Sequence, residues 1–161
     1  MAPYLFFSTV DWDVGSALIR FGTRSDFSHC GFYLDDGWTL DSRFHPFNKH
    51  KDGVQYRSPK QHKDWTRLEL YRHPRIDDAI QAGADLVGRC PYDWPAIFGI
   101  ATDHDWHNDH EKICSEFLGW CFWKIGFPLL RDTKTWELTP RDVWLSKDIT
   151  PAARHLWLPF K

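Results

Sequence analysis

Lys112-Ile113-Cys114-Ser115-Glu116-Phe117-Leu118 places a cysteine at the head of an apolar run. Cys114, Leu118, Cys121 and Ile125 follow one another at helical spacing and share one apolar stripe. Cys114 stands at the N-terminal end of that stripe, and Gly126-Phe127-Pro128 stops the helix. Far upstream, Ser28-His29-Cys30-Gly31-Phe32-Tyr33-Leu34 places a histidine at the start of a short strand. A thiol and an imidazole held together in space make a nucleophile and its base. The fold question is how the chain brings Cys114 to His29.

Around His29 the pattern is specific. Asp35-Asp36-Gly37 is a turn signal suited to a three-residue hairpin loop, and Trp38 to Ser42 returns as the next strand. That loop length pairs Leu34 with Trp38 and Gly31 with Asp41. Asp41 then lies one diagonal step from His29 on the same face, at roughly 7–8 Å between backbones, within reach of a carboxylate-to-imidazole contact. A two-residue loop would turn Asp41 to the opposite face. Gly31 inside the strand marks a close approach, and the Cys114 helix is expected to pack there, on the His29/Gly31 face.

Further strands are expected over Tyr4 to Val10, Gly53 to Arg57 and Thr66 to Arg72. Asp11 and Asp13 offer caps for a helix running to Phe21, with Gly22 placed to end it. Arg43 to Asp52 is a polar loop. Ile76 to Val87 has helical spacing, Pro95 suits the first turn of a short helix to Ala101, and Thr139-Pro140 opens a turn through Trp144. A tail with Trp157 and Phe160 finishes the chain. Together these give an α+β class: a sheet packed against helices, in one domain of 161 residues.

Composition narrows the function. The formal net charge of -2 gives no reason to expect nucleic acid or an anionic membrane as partner. Ten Trp and 12 Phe suit a ring-filled core and a groove for an apolar or extended ligand. Cys30, Cys90, Cys114 and Cys121 have no metal-type spacing, so neither a zinc site nor any other cofactor is expected from them. Tyr4 to Val10 lacks a basic leader and a cleavage site, and no run reaches membrane-spanning length. The expected setting is a soluble protein of a reducing compartment, cytoplasmic or phage-associated; the oligomeric state stays open.

A helix N-terminus and a neighbouring imidazole both favour a thiolate. Cys114 is therefore the candidate nucleophile, His29 its base and Asp41 the residue that orients the imidazole. The amide of Cys114 could help form an oxyanion site. Tyr92 is the candidate second donor, and Ser115 joins it as a candidate for the oxyanion site or substrate groove. Taken singly, each has a plainer role: cysteine is among the most buried residue types, and Cys121 on the same stripe is core.

The stretch His29-x-Gly31-Phe32-Tyr33-Leu34 with Asp36-Gly37 resembles the His strand of the NlpC-type papain-like superfamily. The His-before-Cys order resembles its circularly permuted branch, which includes YiiX/YebB-like amidases and lecithin–retinol acyltransferase-like enzymes. Cys114-Ser115-Glu116-Phe117 resembles the Cys-Ser-Glu helix start of the YiiX-like group. Ile19-Arg20-Phe21-Gly22-Thr23, Pro91-Tyr92-Asp93 and Leu138-Thr139-Pro140-x-Asp142 are further matches to that group, and the likeness runs from about Tyr4 to Ser146. It implies a permuted papain-like antiparallel sheet packed against helices. Within it His29 and Cys114 fall on the catalytic positions and Asp41 where the third, polar residue stands, often His or Glu. Cys30 takes a place where an aliphatic residue is usual.

The leading expectation is a thiol hydrolase or acyltransferase, a cysteine peptidase or amidase, acting through an acyl-enzyme on a peptide amide, including cell-wall peptide, or a lipid acyl group. Two other classes compete. One is metal binding at Asp103, His104, Asp105, His107, Asp109 and His110, although a His/Asp-rich loop is more often a solvated segment. The other is a non-catalytic or virion-associated binding module on a degenerate papain-like fold.

Overall fold

The structure, a computed structural model, describes residues 2–10, 14–34, 37–45, 47–48, 50–93, 95–96, 110–131 and 133–152. The expected caps Asp11 and Asp13, the Asp35-Asp36 half of the hairpin loop and residues 97–101 lie outside these, as do the 103–109 loop and the Trp157/Phe160 tail.

Six strands form one sheet: β1 (Tyr4–Thr9), β2 (His29–Tyr33), β3 (Thr39–Arg43), β4 (Gly53–Arg57), β5 (Arg67–Arg72) and β6 (Thr150–Pro151). Their order is β4-β3-β2-β1-β5-β6, every pair antiparallel. Four α-helices accompany them among the described residues: α1 (Val14–Thr23), α2 (Ile76–Ala84), α3 (Cys114–Lys124) and α4 (Pro140–Trp144). The class is α+β, as the sequence pattern indicates.

β1 is a central strand, and Leu5, Phe6, Phe7, Ser8 and Thr9 are all buried. Its unbroken apolar start follows from cover on both faces. Leu5 and Phe7 join the larger core with Cys30, Phe32, Leu40, Cys114, Phe117, Leu118 and Cys121. Phe6 turns the other way, to Trp65, Leu68, Leu70 and Ala152.

Helix α3 packs on the Cys30/Phe32 face of β2, with the Phe32 and Phe117 rings edge to face at 5.9 Å. This corrects the expectation that it would use the His29/Gly31 face. Gly31 is needed for a different neighbour. A Cβ there would lie 2.7 Å from both the Asp41 Cβ and the Phe6 ring. The empty space serves the cross-strand carboxylate and an aromatic ring rather than a helix.

Other boundaries differ slightly. Gly22 does not end α1. The helix runs to Thr23, and Arg24 takes the left-handed cap at φ 49°. Ser25 N–H donates to the Arg20 carbonyl at 3.0 Å and Arg24 N–H to that of Phe21 at 3.3 Å, which closes the helix end. β3 extends through Arg43, taking that residue out of the expected loop. α2 closes at Ala84 and continues in tighter turns to Gly88, whose φ is 69°.

Candidate active site

Three backbone anchors set the approach to Cys114. The Lys112 N–H donates to the Pro91 carbonyl at 3.0 Å. The Ser42 hydroxyl, on the helix-facing side of β3, donates to the Lys112 carbonyl at 2.6 Å. Glu116 reaches back to accept from the Ile113 N–H at 2.9 Å, capping the first turn. The far side of the helix is fixed by the Leu138-Thr139-Pro140-x-Asp142 stretch. Thr139 and Asp142 cap α4 reciprocally, and the Leu138 carbonyl accepts from Ser115 at 2.6 Å. The Ser115 hydroxyl is thus spent on the contact between α3 and the segment before α4.

On the other strand, Ser28 is tied to α1 by a 2.6 Å bond from the Ser16 hydroxyl to its own. β2 pairs with β3 in the register that a three-residue loop requires, Phe32 with Leu40 and Tyr33 with Thr39, and Leu34 N–H donates to the Trp38 carbonyl at 2.7 Å. Gly37 in this loop has φ 79°. Asp41 therefore faces His29, and its Oδ2 lies 3.1 Å from His29 Nε2. The ring of His29 rests against Phe6, centroids 5.4 Å apart.

The carboxylate of Asp41 is fully buried and heavily bonded. Oδ1 accepts from Arg57 Nε at 2.6 Å. Oδ2 accepts from Arg43 Nη2 at 2.9 Å and from the Thr39 hydroxyl at 3.1 Å. Burial alone would raise the Asp41 pKa, but Arg43, His29 and Arg57 outweigh it and hold the carboxyl well below its ordinary range. Beyond Arg43 lies His62, with Nδ1 3.1 Å from Arg43 Nη2 and its ring stacked on Trp65 at 4.2 Å. Burial first, then Arg43, pushes the His62 pKa down to about 3, so this imidazole is neutral.

Cys114 is buried at the meeting point of β2 and α3. Its sulfur lies near the Cys30 thiol and the His29 side chain, and both act on it. The Cys30 thiol is the strongest influence drawing the Cys114 pKa down. Burial opposes it, His29 adds to it, and the net position is well below that of an ordinary thiol. For His29, burial and Arg43 lower the pKa, while Cys114 and Asp41 raise it and prevail. Cys30 moves the opposite way to Cys114: burial, then Cys114, raises its pKa well above normal.

Cys114, His29 and Asp41, far apart in sequence, are thus brought together. Tyr92 stands close enough for Cys114 to act on it electrostatically: burial, then the charges of Cys114 and Glu116, raises its pKa well above normal. It packs with Ile113, Ala96 and Ile19, and its ring lies 6.0 Å from Phe44. The sequence reading passed over Arg43, Arg57, Thr39 and His62. For two of these a signal existed: Thr39, Asp41 and Arg43 alternate along β3 and so share one face. Arg57 joins that face through its pairing with Thr39 on β4.

Among the described residues no three of His, Cys, Asp and Glu are grouped to hold a metal ion, and no helix is long and apolar enough to cross a membrane. Of the His/Asp-rich stretch, only His110 is described, as an exposed turn residue.

The six-stranded antiparallel sheet and its four described α-helices define an α+β protein of YiiX-like fold. The crystal structure of metalloprotein yiiX from Escherichia coli O157:H7 superposes on this chain with a TM-score of 0.69, covering 96% of this chain and 97% of that one at 15% sequence identity. At that identity the likeness is one of fold. No family model matches the sequence, and no curated protein matches it.

Proposed function

We propose that this chain is a thiol hydrolase of the permuted papain-like kind, a cysteine peptidase or amidase. The observation that carries the reading is the gathering of three side chains: the His29 ring lies 3.1 Å from the buried Asp41 carboxylate, and the Cys114 sulfur, in the first turn of α3, lies near enough to His29 for each to shift the other's pKa. Asp41 occupies the Nε2 side of the imidazole, which leaves Nδ1 for the sulfur. Cys114 attacks a carbonyl carbon as the thiolate, and the carbonyl oxygen gains the negative charge. The Cys114 amide at the helix head donates to that oxygen, with the Tyr92 hydroxyl as second donor. His29 gives its proton to the leaving amine or alkoxide, and a thioester remains on Cys114. Water, or an amine in the transferase variant, gives a proton to His29 as it attacks the thioester and releases the acyl group. The substrate class is a peptide amide, cell-wall peptide included, or a lipid acyl group.

p-Nitrophenyl acetate serves as a substrate-independent probe. The wild-type chain should release nitrophenolate in a burst and gain one acetyl group on Cys114 by mass spectrometry. Cys114→Ala should lose the burst and at least about 10³-fold in turnover. A Cys114→Ala protein that turned the ester over at the wild-type rate would sink the proposal.

The neighbour's description as a metalloprotein favours one second reading, metal binding at Asp103 to His110. The described residues do not offer a ligand set, so no step of the proposed chemistry is routed through a metal. Elemental analysis of the purified chain, with and without replacement of His104 and His107 by alanine, tests that reading.

A further inference from the structure

We infer that Arg43 is a positioning residue that decides which nitrogen of His29 carries the ring proton. The inference deepens the proposed thiol chemistry and rests on the Cys114–His29 pairing. Its basis is a conflict at one atom. His29 Nε2 lies 3.1 Å from an acceptor, Asp41 Oδ2, and 3.1 Å from a donor, Arg43 Nε. The same Arg43 Nε lies 3.2 Å from Asp41 Oδ2. Nε2 cannot satisfy both neighbours in one protonation state.

Two arrangements resolve the conflict. In the imidazolium, Nε2–H donates to Asp41, Nδ1–H donates to the Cys114 sulfur, and Arg43 Nε–H turns wholly to Asp41. When the ring loses one proton to solvent, a site with only Asp41 at this edge would keep Nε2–H and release the Nδ1 proton. Arg43 reverses that choice. Its Nε–H donates to a bare Nε2, so the proton that leaves is the one on Nε2. Nδ1–H then stays on the sulfur, and the thiolate remains bonded after the imidazolium has discharged.

Arg43 is held for this role. Its Nη2 bonds Asp41 and lies beside His62 Nδ1, and its guanidinium sits 5.2 Å from the Trp65 ring centre. The neutral His62 leaves the position of Arg43 unopposed by a second cation from that side. The charged and titratable groups facing His29 are Asp41 and Arg43 from β3, Arg57 across Asp41 from β4, His62 beyond Arg43, Cys114 from α3 and Cys30 on its own strand. Of these, Arg43 alone offers Nε2 a donor. Its charge also opposes the imidazolium and favours the thiolate. Asp41 acts in the opposite sense on the ring.

Nitrogen-15 NMR of the His29 ring in the full chain reads both tautomer and titration midpoint. In the wild type, above the midpoint, Nε2 should show the shift of a bare ring nitrogen and Nδ1 that of a protonated one. In Arg43→Gln the midpoint should move to higher pH; in Asp41→Asn it should move to lower pH. A protonated Nε2 above the wild-type midpoint overturns the inference. So does an Arg43→Gln midpoint that is unchanged or lower in a variant with wild-type circular dichroism. Should that variant not fold, the wild-type tautomer alone decides. Failure of p-nitrophenyl acetate to acylate Cys114 would remove the hydrolase reading while leaving this ring measurement intact.

Discussion

Two carboxyl groups are buried within a short distance of Cys114, and they are held in opposite states. Asp41, on the polar face of the sheet, is kept well below its ordinary pKa by Arg43, His29 and Arg57 against the cost of burial. Glu116, in the first turn of α3 on the apolar side, is pushed up to about 8, chiefly by burial and further by Asp93 and Cys114, although the Ile113 amide and Lys112 act against this. Burial is almost equal, with Asp41 at 0% and Glu116 at 2% exposure. What differs is the balance between burial and the groups that oppose it. Two guanidinium groups bond Asp41 and outweigh burial, whereas at Glu116 burial outweighs the Ile113 amide and Lys112. Depth alone therefore does not decide whether an interior carboxyl is ionised; the charge of its partners does. For the site this yields one fixed anion behind His29, while near Cys114 burial shifts the Glu116 carboxyl toward its neutral form.

The largest effect should come from Asp41→Asn. The amide keeps the shape but leaves Arg43 and Arg57 without their anion in the interior, a loss of about 3–5 kcal/mol by urea unfolding at pH 7. A loss under about 1 kcal/mol would show that the arginines re-pair. Arg57 has the carbonyls of Lys51 and Gly53, each at 2.9 Å, to fall back on.

Glu116→Gln should act in the opposite direction. The wild-type carboxyl titrates near 4.5 when unfolded and at about 8 when folded. Between those values the folded state holds a proton that the unfolded state lacks, so wild-type stability falls as pH rises through that window. Gln keeps the cap to Ile113 and has no proton to lose. At about 1.4 kcal/mol per unit, the variant should gain roughly 1–3 kcal/mol over wild type at pH 7. The two proteins should converge near pH 4.5. Paired urea titrations at pH 5 and pH 8 check the sign; a variant less stable at both would mean that Glu116 is ionised and paired.

The asymmetry between these carboxyls also marks what could be read from the chain. Asp41 was legible because a turn length sets a strand register: three residues from Leu34 to Trp38 leave only one face for it. Strand and helix types followed from the apolar period, and the head position of Cys114 from its place at the start of the apolar stripe. The packing face of α3 was misassigned. A glycine shows that something comes close, but not what comes close. The apolar alternation of Cys30, Phe32 and Leu34 was the sounder guide to where a helix would lie. Arg57 and His62 were not legible as partners of Asp41. The register of β3 on β4 is set across residues 44–52, a connection whose length fixes no pairing, and a lone arginine in a strand looks solvated until that pairing is known.

The smallest change proposed concerns Thr39→Val, which removes a neutral donor from the same carboxylate and leaves every charge in place. Valine keeps the volume and the strand preference at this buried position. Asp41 Oδ2 loses the 3.1 Å hydroxyl bond but retains Arg43 and His29, and His62 Nε2 loses a neighbour at 3.3 Å. The expected cost is about 1–2 kcal/mol, that of a hydrogen bond to a charged acceptor with other donors remaining. Comparing it with Asp41→Asn separates two accounts of the polar face. If charge pairing dominates, Thr39→Val stays well below the Asp41 variant, and the rate of Cys114 alkylation by iodoacetamide at pH 7 is little changed. If instead the face is held as one interlocked set of bonds, the loss of a single neutral donor should approach the full Asp41 effect and slow alkylation with it. That result would shift the explanation for the ionised Asp41 from its two arginines to the geometry of the whole cluster.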